Sequence, residues 1–217
     1  MAQAKRLYNK FLRSKKVNEI EISPGLNFFG NLVSFDCHIQ DLKLVLQKTE
    51  EIKFPEREDV KEMQGLISDI FPDITRKAFI VALLVVLEDQ FKTFCGILRN
   101  AKGLELKWND LKGSALERFI AYSEKVGNLE KICDDSMREL VKGLFEVRNC
   151  IVHNNSSLEG FNKAEIIKSF SKQIQGVELR YGYVSFGLDA CYACGDIVFR
   201  FMEYAYCRAL KVFPSEH

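Results

Sequence analysis

Histidine, proline and tryptophan are scarce in this chain, which holds three, four and one of them among its 217 residues. Three histidines confine histidine chemistry to very few places, and sparse proline and glycine leave long stretches free to be helical. No apolar run is long either. The longest, Ala78 to Leu87, falls well short of the roughly 18 to 20 residues that a membrane span requires, so no membrane partner is expected. A formal net charge of +1 excludes a surface that coats a polyanion wholesale, while leaving local patches open. Seven cysteines, an odd number scattered along the chain, do not form the paired framework of a small secreted domain. The first ten residues, MAQAKRLYNK, carry charges without an apolar stretch behind them, so a secretory signal is not expected. A reduced, cytoplasmic protein is the expectation.

What the chain does have is apolar spacing of three and four, and this predicts an all-α fold, a single helical domain over residues 1–217. The clearest element is a central helix over 73–100, with Asp73 after Pro72 as its cap and Phe79, Leu83, Leu84, Leu87, Phe91, Phe94 and Leu98 as its stripe. Further helices are expected near 4–16, 31–50, 57–70, 108–125, 134–153 and 188–212. The first of these would carry a basic cluster of Lys5, Arg6, Lys10, Arg13, Lys15 and Lys16, which reads as a solvated face. Near 174–186 the period changes: Val177, Leu179 and Tyr181 alternate with Glu178 and Arg180, and Tyr183 to Phe186 follow Gly182, the pattern of a small β-hairpin.

One short string carries chemistry. Arg148-Asn149-Cys150-Ile151-Val152-His153 sits on the last turns of the helix expected to start at the Asp134-Asp135-Ser136 cap, and Asn154-Asn155 come directly after it. Arg148 falls on the line of Val141, Leu144 and Ile151, where an apolar residue is expected. A guanidinium there needs an acidic partner, a partner subunit or a wet cleft. Glu88 has the same oddity, since it lies on the line of Leu84, Phe91 and Cys95. The two charges predict that their helices face each other and that Glu88 orients Arg148; Asp89 is the alternative acid. Asn149 and His153 are four apart and share a face, so Asn149 could hold one ring nitrogen of His153. Arg148 and His153 are five apart, which separates them by about 140° on an ideal helix. The helix end must loosen, the arginine must curl round, or a second subunit must complete the site.

An arginine with a histidine is a sufficient set to cleave RNA without a metal. The histidine takes the proton of a ribose 2′-hydroxyl as it attacks the adjacent phosphodiester, and the arginine stabilises the charge that gathers on phosphorus oxygens. A 2′,3′-cyclic phosphate and a 5′-hydroxyl result, and DNA lacks the nucleophile.

These residues resemble the HEPN superfamily, all-α domains of prokaryotic defence, toxin and RNA-processing systems whose signature is Arg-Asn-x-x-x-His at a helix end. The resemblance spans roughly residues 72–100 and 134–157. It implies a HEPN-like helical bundle and a metal-independent endoribonuclease in a toxin or antiphage-defence role, with RNA as substrate and no cofactor or metal. It further implies a homodimer with the motif at its interface, and an antitoxin or other defence-system protein as a further partner. By the same carry-over Arg148 and His153 are catalytic and Asn149 supports them, with Glu88 as the match to an acidic residue on an earlier helix. Such domains also serve as catalytically inactive RNA-binding, protein-binding or dimerisation modules, which is the second reading. Where toxins of one branch carry a tyrosine two residues after the histidine this chain has Asn155, so neutralisation through a modified tyrosine is not expected.

Other signals lead nowhere sharper. Arg148 could be no more than a salt-bridged arginine, with His153 a helix-ending residue that complements the dipole. Cys191 and Cys194 have CxxC spacing, but no second close pair is present for zinc and no βαβ setting for redox chemistry, so packing of the last helix is expected. His38 beside Cys37 does not make a metal site by itself, and His217 is the last residue of the sequence.

Overall fold

A computed structural model of the chain describes residues 23–52 and 61–214. Within these, helix α1 (Pro24–Glu50) begins seven residues before the expected start of 31. Ser23 accepts a hydrogen bond from the Leu26 amide, and Pro24 comes next, at a position where its missing N–H costs nothing. That cap and the proline outweigh Gly25 and Gly30. Phe28, Phe35, Ile39 and Leu46 are buried along one side of the helix.

Helix α2 (Lys61–Lys102) is the axis of the fold, and Phe79, Leu83, Leu84, Leu87, Phe91, Phe94 and Leu98 are buried along it. The expected break at Pro72 is absent: the segments 57–70 and 73–100 are one helix from residue 61 onward, and residues 57–60 lie outside those described. Proline removes one helical hydrogen bond, yet α2 packs along α1 and continues through it. Asp73 is not a cap. Its carboxylate meets Lys77 Nζ one turn on, at 2.6 Å.

The expected helix 108–125 is interrupted. A 3₁₀ turn at Trp108–Asp110 leads to Gly113 at φ 115°, a conformation that stops a helix; α3 (Ala115–Ala121) then starts at a Ser114/Glu117 capping box and widens into a π turn at Tyr122–Val126. Phe119 of α3 stacks on Phe91 with centroids 4.1 Å apart. Helix α4 (Asp135–Asn154) has Asp134 as its cap, accepting from the Met137 amide at 2.7 Å.

Helix α5 (Ala164–Gln173) has no counterpart among the elements expected from sequence, and no side chain caps its start. Its Ile167 and Phe170 are buried, and Gly143 of α4 lets it approach, because a Cβ there would lie 2.7 Å from the Phe170 ring. Strands β1 (Val177–Arg180) and β2 (Tyr183–Phe186) pair antiparallel, with Val177 opposite Phe186 and Arg180 opposite Tyr183. Tyr181 and Gly182, at φ 51° and 82°, form the two-residue turn whose twist matches the strands. Helix α6 (Leu188–Val212) closes the bundle against α1, α2 and α4. The described residues are thus mainly α-helical with one small hairpin.

No helix among the described residues is long and apolar enough to cross a membrane. The basic cluster expected over 4–16 lies outside the described residues, as does His217. Cys191 and Cys194 are fully buried in α6, where burial pushes the Cys191 thiol up to about 12 and raises that of Cys194 as well.

Candidate functional site

Helix α4 delivers the whole of Arg148–His153 on continuous α-helix, since it extends through Asn154. The end is abrupt. Asn155 and Ser156 both adopt left-handed backbone, at φ 47° and 65°, and the Ser156 amide donates to the Cys150 carbonyl. Asparagine tolerates this conformation better than most residues, and the Asn154 side chain holds the exit turn by donating to the carbonyls of Ser157 (2.6 Å) and Glu159 (3.0 Å). The hairpin is stitched to the same turn. Leu158 N donates to Gly182 O at 2.8 Å, Val184 N donates to Ser156 O at 2.9 Å, and Ser157 pairs with Tyr183. The two asparagines after the motif therefore serve the backbone.

Arg148 and Glu88 meet, with Arg148 Nη2 donating to Glu88 Oε1 at 2.8 Å. Asp89, the alternative acid, is exposed. The pair lies at the rim of the core rather than within it: the side chains of Arg148 and Glu88 keep 23% and 29% of their exposure. Their apolar lines led inward because Leu84, Phe91, Val141 and Leu144 are buried, but Ile151 is partly open and the seam runs out to solvent there.

Asn149 departs from expectation. Its side chain does not reach His153; Oδ1 accepts from Arg148 Nη1 at 3.1 Å and Nδ2 donates to Glu146 Oε2 at 3.4 Å. Glu146 is itself buried, and its other oxygen accepts from Lys163 Nζ at 2.6 Å. Neither Glu146 nor Lys163 is among the site residues expected from the sequence. The signal for Glu146 was available: it stands between Phe145 and Val147, three residues before Asn149, at a helical spacing that makes the two side chains neighbours. No sequence signal pointed to Lys163, which arrives from the turn before α5.

His153 is exposed and, among the described residues, makes no side-chain hydrogen bond. The helix does not loosen before it, and Arg148 is held by Glu88 and Asn149 instead of curling towards it. The five-residue separation of about 140° therefore stands within one chain. Among the described residues, two of the five guanidinium N–H groups of Arg148 are taken, by Glu88 and Asn149, which leaves Nε and one hydrogen on each terminal nitrogen for an anion.

An apolar ridge leads to this pair. Ile70, Ile74, Ala78, Val81 and Val85 succeed one another along α2 at spacings of four, four, three and four, and the next residue in that line is Glu88. Ile70, Ile74 and Val85 are more than half exposed, as is Val152 of the motif. A shallow concavity lies between Ile74, Ala78 and Val81 on one side and Ile151 and Asn155 on the other. Among the described residues no group of three or more His, Cys, Asp or Glu side chains is placed to hold a metal ion. In comparisons with protein-family models, curated proteins and solved structures, nothing matches this chain.

Proposed function

We propose that this protein is a metal-independent endoribonuclease of HEPN type that acts as a homodimer, with the Arg148–His153 segments of two copies lining one cleft. The observation that carries the reading is the state of Arg148: a guanidinium held on two nitrogens by Glu88 and Asn149, whose remaining N–H groups have no partner among the described residues, on the same helix as an exposed His153 that makes no side-chain hydrogen bond among them. A fixed arginine that does not reorganise is what stabilisation of a phosphorane requires. A histidine without a competing hydrogen bond is free to take the 2′-hydroxyl proton and later return a proton to the leaving 5′-oxygen.

A single copy leaves these two groups on different faces of an unbroken helix. The exposed ridge of Ile74, Val85 and Val152 beside them is apolar surface that a second copy would cover, bringing His153 of each subunit towards Arg148 of the other. A role in toxin–antitoxin or antiphage systems, and a neutralising partner, belong to the same proposal. The second reading is an inactive module that binds RNA or protein through the same cleft, a reading compatible with an Asn149 amide that serves Arg148 and Glu146 rather than His153.

Labelled single-stranded RNA incubated with the protein in excess EDTA separates the two. The enzyme yields fragments with 2′,3′-cyclic phosphate ends and leaves an all-deoxy oligonucleotide intact. Binding without fragments supports the module.

A further inference from the structure

Four contacts join into one chain of groups: Glu88 to Arg148, Arg148 to Asn149, Asn149 to Glu146, and Glu146 to Lys163. Their charges run negative, positive, neutral, negative, positive. Three elements are tied by it, namely α2, α4 and the turn that opens α5. We infer that Glu146, held by Lys163, is a positioning residue that fixes the Asn149 amide so that its oxygen faces Arg148 and thereby sets the edge that Arg148 offers to an anion.

Burial makes Glu146 demanding. It is only 7% exposed, and a carboxylate so placed is costly unless its oxygens are occupied. Lys163 Nζ takes Oε1 at 2.6 Å and offsets the charge, and its own side chain stays 55% exposed, so the lysine keeps part of its hydration. Oε2 is left for Asn149.

A primary amide has two unlike ends, a donating nitrogen and an accepting oxygen. With nitrogen on Glu146 and oxygen on Arg148, both contacts are attractive. Rotated by half a turn, the amide would set its oxygen against a carboxylate and its nitrogen against a guanidinium, and both contacts would repel. Glu146 therefore chooses the amide orientation, and the amide in turn holds Arg148 Nη1 while Glu88 holds Nη2. An arginine gripped on both terminal nitrogens cannot swing, so its free N–H groups keep one direction. Geometry of this kind matters because a misplacement of about 1 Å can cost on the order of a hundredfold in rate.

The catalytic consequence rests on the ribonuclease reading, whereas the clamp itself does not, and the test keeps the two apart. The Asn149 side-chain amide is followed by nitrogen-resolved NMR in the wild type and in Glu146→Ala, Glu146→Gln and Lys163→Met, alongside cleavage of the same RNA. Glu146→Ala is expected to move the Asn149 amide protons towards their free positions and to speed their exchange with water. In Glu146→Gln, where an accepting oxygen remains, the change is partial, and in Lys163→Met it is smaller still. Cleavage is expected to fall about 10- to 100-fold in kcat for Glu146→Ala, with KM within about threefold, and less for Glu146→Gln.

An Asn149 amide that is unchanged in a folded Glu146→Ala protein overturns the inference, and Glu146→Gln serves the same comparison if the alanine variant does not fold. So does an altered amide with unaltered kcat in a protein whose wild type cleaves RNA. An altered amide in a protein whose wild type cleaves nothing leaves the clamp standing and removes the ribonuclease reading.

Discussion

Glu88 and Arg148 are 60 residues apart in the chain and 2.8 Å apart across the α2–α4 contact, and this ion pair at the edge of the core anchors the motif. Removing the acid leaves a partly desolvated guanidinium with Asn149 as its one remaining side-chain partner among the described residues. Glu88→Ala is expected to cost about 1 to 2 kcal/mol of stability, between the values for exposed and for buried pairs, and to lower RNA cleavage more than tenfold. Glu88→Gln keeps an acceptor and should lie between the two. Chemical denaturation and initial cleavage rates measure the two effects separately.

The apolar ridge makes a prediction about assembly. Val85→Asp and Val152→Asp each place a charge on surface that a second copy would cover, and each is expected to convert dimer to monomer in light scattering at micromolar concentration. Mixing Arg148→Ala with His153→Ala, each inactive alone, should restore part of the activity, because a mixed dimer regains one intact arginine–histidine pair across its interface. A wild type that is monomeric at those concentrations contradicts the composite cleft.

Gly143 sits where α4 and α5 come closest, and Gly143→Ala would force its new methyl to within 2.7 Å of the Phe170 ring. The change favours the helix intrinsically but overpacks the contact, so a net loss of about 1 to 3 kcal/mol is expected, read as a lowered denaturation midpoint. Because α5 is preceded by Lys163, a displaced α5 should also weaken the Glu146 contact.

Burial raises the thiols of Cys95, Cys191 and Cys194 and the phenol of Tyr206 above their ordinary values, Cys191 to about 12. The folded state therefore keeps protons that the unfolded chain releases. The stability these groups contribute is fully present below about pH 8.5, the ordinary thiol pKa, and is lost as pH rises from there towards 12. Melting temperature should fall progressively above about pH 9. At about pH 8 a thiol reagent should modify the exposed Cys207 and spare Cys95, Cys191 and Cys194 until the protein unfolds.

Much of this arrangement was legible in the sequence because two charges were out of place. Glu88 and Arg148 broke apolar lines whose other members are largely buried, and two misplaced opposite charges imply that their helices meet. The Asp134 cap, the hairpin and the last helix were equally readable, since local chemistry decides them, although Tyr181 was expected in the first strand and instead forms the turn with Gly182. Pro72 misled because local punctuation yields to packing along a long helix, and α5 was missed because it has no capping side chain and few apolar anchors. The role of Asn149 could not be read from spacing. Position four before His153 gave one neighbour and position three after Glu146 gave another, and the second holds the amide, beside a Glu146 whose charge Lys163 offsets from a distant turn.

The most direct measurement is the cleavage of end-labelled RNA in excess EDTA by the wild type, His153→Ala and Arg148→Ala. His153 is exposed and its replacement should shift stability by no more than about 0.5 kcal/mol, so loss of activity in a folded variant reports chemistry. Cleavage by the wild type with 2′,3′-cyclic phosphate products is expected, and none by either variant. Cleavage that stops in EDTA, or that persists in both variants, would contradict the proposed mechanism.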